Sequence, residues 1–302
     1  MKYKSLLSQK NLSSVSKSFS ENYSLKDFIR QINLRSPKLK KIEALLHGRF
    51  ESINKGDGFS FNEIREYKIG DDLRNISWST TAKTGALHVK EYFSEKETKT
   101  YFIVDISNSM FCADKLTIFI QLFAFLLNTS ISFSEKIGGL FFSKGVKYHF
   151  PLMQAVSQAN IIFQTLLSHL DNKSNIINDE PALTDISGAL DFSKRYFKKK
   201  GLIILISDFI NLNKWEKQLY EMSQTYNIYS FQVYDTVDYS LPTAGYVSII
   251  DPETQNRFIV NTDNKLIQTA YENEMRTRNE RLKLFLNNLN IHHTIIGNEY
   301  FE

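Results

Sequence analysis

The sequence predicts an α/β protein built on a doubly wound, mostly parallel sheet. Two uninterrupted apolar runs, Tyr101–Val104 and Leu202–Ile206, are typical of strands that are buried on both faces. After residue 99, strand patterns alternate with helix patterns along the chain. This order is that of a sheet whose crossover helices cover both of its faces.

The individual elements follow from apolar periodicity and from turn residues. Strands are predicted at 100–105, 137–143, 202–207, 228–234 and 291–296. Helices are predicted at about 113–131, 154–169, 183–197, 213–225 and 264–289. Between residues 244 and 262 we expect an inserted β-hairpin, with strands Tyr246–Ile250 and Arg257–Val260 joined by a polar turn.

The chain is expected to have three parts. Residues 1–36 begin with a Ser-rich polar stretch and are predicted to be a flexible segment. Residues 37–97 contain short alternating runs separated by glycines, which predicts a small N-terminal module. Residues 98–302 carry the strand–helix alternation and form the predicted α/β domain.

Composition narrows the class of protein and its compartment. The net charge of +4, from 37 basic and 33 acidic residues, makes a nucleic-acid partner a poor expectation. Cys112 is the single cysteine, so no intrachain disulfide can form, which fits a reducing compartment. The uncharged stretch Leu116–Ser134 contains several polar residues and indicates a helix buried against the sheet, not a transmembrane segment. We therefore expect a cytoplasmic protein.

Oxygen-bearing side chains follow both apolar runs. The first run ends in Asp105, with hydroxyls two and four positions later, and the second run ends in Ser207 and Asp208. Ligands of open α/β sheets bind at the carboxyl ends of the strands, and hard oxygen ligands suit Mg²⁺, with Mn²⁺ or Ca²⁺ as alternatives. Thr184 and Asp185 stand before a helix, and the alternative role for either residue is that of an N-cap. The expected metal site comprises Asp105, Ser107, Ser109, Thr184 and Asp208, with Asp185 as a possible neighbour.

A site with so few carboxylates leaves a divalent cation short of negative charge. We expect it to accept a further carboxylate from a protein partner, which is a chemistry of adhesion more than of turnover. Without the partner, the expected dissociation constant is on the order of 10⁻⁴–10⁻³ M.

These residues resemble the metal-ion-dependent adhesion site of von Willebrand factor A domains. The resemblance implies that the two Ser and the Thr contact Mg²⁺, that the Asp residues often act through water, and that a ligand carboxylate completes the octahedron. The glycine-punctuated stretch from Gly56 to Gly85, with Arg65-Glu-Tyr67 and Gly70-Asp-Asp72, is similar to the bacterial "domain of unknown function 58" family. Its members join such a segment to a von Willebrand A-like domain, and the resemblance covers about residues 40–296.

The family resemblance also implies a partner. Members commonly occur beside MoxR-type AAA+ ATPases, so the expected role is that of an adaptor in protein assembly or maturation, not that of an enzyme. The alternative is a Mg²⁺-dependent hydrolase in which Asp105 and Asp208 hold the metal and Asp185 or Asp235 acts as general base. The acids and arginines between Glu63 and Arg74 interleave, and we expect them to pair with one another.

Overall fold

The computed structural model describes residues 24–32, 36–93, 98–111, 115–175, 184–210, 215–250 and 257–301. The chain divides into two compact units, one of residues Lys40–Thr98 and one of Met1–Leu39 together with Lys99–Glu302. Cys112, and the turn expected between the hairpin strands, lie outside the described residues.

Helix α1 (Leu25–Gln31) lies within the segment that we expected to be flexible. Ser24 caps it by accepting a hydrogen bond from the backbone N–H of Asp27. Leu25 and Phe28 are buried, and the Phe28 ring lies 5.3 Å from that of Phe163 in the large unit. Apolar residues at helical spacing give this short segment a face that it can bury.

The smaller unit is built on an antiparallel strand pair. Helix α2 (Pro37–Asn54) leads into β1 (Lys55–Glu66), and helix α3 (Trp78–Thr84) precedes β2 (His88–Phe93), which pairs with β1. Its charged residues pair as expected: the Arg65 guanidinium contacts Asp71 at 2.8 Å and Arg74 contacts Asp72 at 2.7 Å. The hydrogen bonds from Arg65 lower the pKa of Asp71 to about 2.

The larger unit confirms the predicted α/β class. In chain order its elements are β3 (Lys99–Asp105), α4 (Lys115–Phe133), β4 (Lys136–Phe142), β5 (Val146–Gln154), α5 (Ala155–Asn175), α6 (Ile186–Tyr196), β6 (Leu202–Ser207), α7 (Glu216–Ser223), β7 (Asn227–Val233), β8 (Tyr246–Ile250), β9 (Arg257–Asn261), α8 (Lys265–Asn288) and β10 (His292–Ile296). Strands β8 and β9 form the predicted hairpin. The other strands form a six-stranded sheet in the order β10-β7-β6-β3-β4-β5, parallel except for β5.

Strand β5 is the main element that the sequence analysis missed. It pairs antiparallel with β4 at the edge of the sheet, after a tight turn in which Ser143 N–H donates to the carbonyl of Gly145. Its sequence alternates apolar and polar residues, with Phe150 buried and Lys147 exposed, as a half-covered edge strand requires. Pro151 is tolerated there because an edge strand has one unpaired side.

Both faces of the sheet are covered, as the doubly wound prediction requires. Tyr101 and Ile103 of β3 pack in a buried cluster with residues of α6, α7 and α8. Phe102 projects to the opposite face, where its ring lies 5.7 Å from that of Phe123 in α4. The alternation along one strand thus separates two apolar layers, and the central strands are buried on both sides.

Helix α4 is the single helix in the described part of the chain that is long and apolar enough to cross a membrane. It has 19 residues, and 67% of its most apolar stretch is buried inside the protein. Leu122, Phe123, Leu126 and Leu127 have no exposed surface, which is typical of a core helix.

His293, on β10, gives a testable pH dependence. Burial, and then the charge of Lys283, lower the pKa of His293 to about 4. The unfolded chain therefore takes up this proton first, so stability is lost as the pH falls from about 6.5 towards 4. Between pH 7 and 5 we expect the free energy of unfolding of the wild type to fall by about 2 kcal/mol more than that of His293→Gln. Urea unfolding at the two pH values measures the difference, and equal losses would contradict it.

Candidate functional site

The first polar loop begins where β3 ends. Asp105 closes the strand, and the short 3₁₀ helix Asn108–Phe111 carries Ser109. The backbone N–H of Ser107 donates to Asp105 Oδ1 at 2.8 Å, and the hydroxyls of Ser107 and Ser109 lie 3.0 Å apart. All three side chains are buried, so the loop presents a carboxylate and two converging hydroxyls in a place largely shielded from water.

The second polar loop meets the first because β6 lies beside β3 in the sheet. The Ser207 hydroxyl at the end of β6 donates to Asp105 Oδ2 at 2.7 Å, and accepts from the backbone N–H of Phe209 at 3.0 Å. Asp208 follows, with only 5% of its surface exposed. The structure thus brings two of the predicted carboxylates, Asp105 and Asp208, to the same edge.

The carboxyl group of Asp105 is buried near a second buried carboxylate, that of Asp208. Burial, and then the neighbouring carboxylate of Asp208, raise the pKa of Asp105 above its usual range, and the hydrogen bonds from Ser207 and Ser107 offset only part of this rise. Two carboxylates in a buried place favour either a shared proton or a cation between them. A cation at this edge would favour the ionised form of Asp105.

The backbone after Asp208 is held in an uncommon conformation. Phe209 has φ of 54°, in the left-handed region that residues with a side chain seldom adopt. Its ring is buried beside Trp215, and Arg278 of α8 donates a hydrogen bond to its carbonyl. Gln232 of β7 donates to the carbonyl of Asp208 at 3.3 Å. Neighbouring elements therefore fix the direction of Asp208 in spite of local strain.

A lysine that the sequence analysis did not single out completes the cluster. Lys115 is the first residue of α4, and only 3% of its surface is exposed. Its ammonium lies 3.2 Å from Asp208 Oδ2 and 3.2 Å from Asp238 Oδ2, so it bridges two carboxylates. A cation at a helix N-terminus is disfavoured by the helix dipole. In the sequence, a single lysine at the start of an otherwise uncharged helix indicates that carboxylates lie near it.

Thr184 and Asp185 also lie at this edge. The backbone N–H of Asp185 donates at 2.7 Å to the carbonyl of Ser143, the residue after β4, and β4 pairs with β3 up to Asp105. Thr184 is half-buried. The Asp185 side chain is exposed and caps α6 by accepting from the N–H of Gly188 at 2.8 Å. The N-cap of this helix is therefore Asp185, which leaves Thr184 one residue before it.

A cavity of about 140 Å³ opens beside the cluster. Its lining includes Asp208 and Asp238, the hydroxyl-bearing Tyr271, and Arg278. Burial lowers the pKa of Arg278, against the opposing effect of both carboxylates. The lining also includes the apolar side chains of Ile210, Val233 and Met275, and the cavity gives Asp208 and Asp238 a common boundary.

The donor atoms at this edge fit a hard divalent cation. Within the described residues, no three His, Cys, Asp or Glu side chains are grouped to hold a metal, so a carboxylate-rich or thiolate site is not formed there. The cluster instead offers two buried carboxylates and two hydroxyls whose oxygens converge. Oxygen donors of this kind match Mg²⁺ or Mn²⁺. Lys115 brings a competing positive charge to one of the carboxylates.

Comparison with known proteins gives a family match. The model of the family described as "Protein of unknown function DUF58" matches residues 63–281. An uncharacterised protein of Mycobacterium tuberculosis strain H37Rv is 24% identical over 219 residues, which span 71% of this chain and 67% of that protein. An uncharacterised protein of Mycobacterium bovis matches to the same extent.

Solved structures show distant likenesses. An aerotolerance-related membrane protein from Bacteroides fragilis is 16% identical, with a TM-score of 0.39, over 67% of this chain and 93% of its own. The hypothetical protein BatB from Bacteroides thetaiotaomicron is 14% identical, with a TM-score of 0.36, over 64% and 98% of the two chains. A von Willebrand factor type A protein from Catenulispora acidiphila is 14% identical, with a TM-score of 0.33, over 48% and 34%.

Proposed function

The chain belongs to the DUF58 family of proteins of unknown function, and we propose that it is a metal-dependent protein-interaction module. The observation that carries this proposal is the buried meeting of Asp105, Ser107, Ser109 and Asp208 at the carboxyl edge of the sheet. With Thr184 at the same edge, these residues would hold Mg²⁺, with Mn²⁺ or Ca²⁺ as alternatives. The bound cation would supply an open coordination position for a carboxylate oxygen of the partner.

The residues of the chain have separate tasks in this proposal. The hydroxyls of Ser107 and Ser109 supply neutral oxygens, so that the net charge of the site remains low. Asp105 is held at both oxygens, by the Ser107 N–H and the Ser207 hydroxyl, and acts as a fixed charge at the base of the site. Few direct charges leave the cation in need of another carboxylate, and a partner's acidic side chain provides one.

We propose a MoxR-type AAA+ ATPase as the partner, with this chain as its adaptor in protein assembly or maturation. The support is the family's usual association with such ATPases and the requirement for an acidic side chain on the partner's surface. A cytoplasmic location, which the single cysteine favours, would place the two proteins in one compartment.

The hydrolase alternative gains no support from its two candidates for the general base, Asp185 and Asp235. Asp185 is engaged as the cap of α6, and its side chain is exposed. Asp235 forms a capping box with Asp238, accepting from the N–H of Thr236 at 2.6 Å. A side chain that holds a helix end is poorly placed to take a proton from a metal-bound water.

Asp105→Asn tests the proposed interaction. The amide retains the size of the side chain and an oxygen that can accept the Ser107 N–H, but it removes the charge. We therefore expect the variant to fold, and its binding to a MoxR-type ATPase with Mg²⁺ to fall at least about tenfold, because the partner's carboxylate then meets a site that holds metal poorly. Titration of the purified ATPase by calorimetry, with Mg²⁺ and with EDTA, measures this loss.

Asp191→Asn is the matched control, since Asp191 is an ion-paired carboxylate of α6 with a half-exposed side chain. It is expected to bind the ATPase as the wild type does. Equal binding by the wild type and Asp105→Asn, unchanged by EDTA, would overturn the metal-dependent interaction.

A further inference from the structure

We propose that Lys115 is an internal cation that competes with the divalent metal for Asp208 and so sets the metal affinity of the site. This inference deepens the proposed function and rests on the metal site proposed there. It concerns a residue outside the predicted ligand set, and it arises from where the chain places one ammonium group.

Lys115 is buried and depends on the carboxylates of this cluster. With 3% of its surface exposed, its ammonium has little contact with water and depends on carboxylates for its charge. Asp208 and Asp238 supply them, each at 3.2 Å. Its position at the N-terminus of α4 adds the unfavourable helix dipole, which increases the need for both partners.

Lys115 and a bound metal would both require the negative charge of Asp208. Asp208 is both a predicted ligand and the most buried partner of Lys115, with 4% of its side chain exposed. Two cations beside one buried carboxylate repel each other strongly, because the interior screens charge poorly. Metal binding therefore requires Lys115 to leave Asp208 or to remain there at an electrostatic cost.

Asp238 is a second carboxylate that can form an ion pair with Lys115 when a metal binds Asp208. Asp238 lies on the far side of the ammonium, and its side chain is 31% exposed, so it is in part solvated. It borders the same cavity as Asp208, so the two carboxylates that contact the lysine lie close to each other. In the metal-free protein Lys115 bridges the two carboxylates, and in the metal-bound protein Asp238 continues to hold it.

Replacing the ammonium by an apolar side chain tests the competition. We expect Lys115→Met to bind Mn²⁺ at least about tenfold more tightly than the wild type, whose expected dissociation constant is on the order of 10⁻⁴–10⁻³ M. The free Mn²⁺ signal in electron paramagnetic resonance measures binding directly, without a partner protein. Lys194→Met, which removes a partly exposed ion-paired lysine of α6, is the control and is expected to match the wild type.

A second variant covers a failure of Lys115→Met to fold. Lys115→Met/Asp238→Asn removes one positive and one negative charge, so the net charge is that of the wild type, and of the two carboxylates that Lys115 bridges Asp208 remains for Mn²⁺. The Asn retains an oxygen that can accept the N–H of Asp235. Tighter Mn²⁺ binding by this double variant would show that the position of the ammonium, not the net charge, limits affinity.

The outcomes separate this inference from the proposed function. Measurable and equal Mn²⁺ binding by the wild type and both variants overturns the competition and leaves the metal-dependent interaction standing. Binding by the variants alone supports the competition and overturns the metal dependence of the wild type. No Mn²⁺ binding by any of the proteins overturns both.

Discussion

Gly139→Ala is expected to destabilise the protein by about 4 kcal/mol or more, which is a large part of the whole stability of a typical domain. Gly139 lies in β4 directly opposite Phe102 of β3, with φ of 151°. An added Cβ would lie 2.1 Å from the carbonyl oxygen of Phe102 and 2.7 Å from its nitrogen. Both atoms belong to the backbone of a central strand, so neither can turn away as a side chain would.

The measurement is urea unfolding followed by circular dichroism. Gly145→Ala, in the turn between β4 and β5, is the control, because nothing lies within 4 Å of a Cβ built there. It is expected to change the free energy of unfolding by no more than about 0.5 kcal/mol. A similar small effect of Gly139→Ala would mean that the backbones of β3 and β4 are not as close as the structure places them.

The sequence was sufficient to predict the central sheet. The runs Tyr101–Val104 and Leu202–Ile206 are short, continuous and apolar, as strands buried on both faces require, and the structure has both of them in the middle of the sheet. Strand β5 was harder to predict, because an edge strand with one exposed face leaves a weak alternation and this one contains a proline. Hydrogen bonding to β4 stabilises this strand, whereas its own residues alone do not fix it as a strand.

The site was predictable in part for a related reason. The polar residues that end β3 and β6 had to meet, because those strands are parallel neighbours and their carboxyl ends share an edge. Lys115 and Asp238 lie 123 positions apart in the sequence, and nothing local to either residue indicates the other. A lysine at the start of the apolar helix α4 indicates that a carboxylate lies near it, but only the tertiary fold identifies Asp208 and Asp238.

Asp208→Asn is expected to lower the free energy of unfolding by about 3 kcal/mol. It breaks the buried ion pair with Lys115 and leaves the charged ammonium buried without this carboxylate. The amide retains the volume and an oxygen that can accept the N–H of Ile210, which Asp208 Oδ1 accepts at 3.1 Å. Lys115 then loses the contact with Asp208 and retains the contact with Asp238. The loss should appear in the free energy of unfolding measured without added metal.

Removing the positive charge of Lys115 as well should restore part of this stability. A buried ion pair replaced on both sides often costs little, whereas removal of one partner leaves a desolvated charge. We therefore expect Lys115→Met/Asp208→Asn to be about 1–2 kcal/mol more stable than Asp208→Asn alone, so that the two substitutions are not additive. The same exchange at a partly exposed pair, Lys194→Met/Asp191→Asn, should show coupling below about 0.5 kcal/mol, since solvent screens that pair. Additive effects at Lys115 and Asp208 would show that the ammonium draws its stability from Asp238, and that Asp208 lies beside it without holding it.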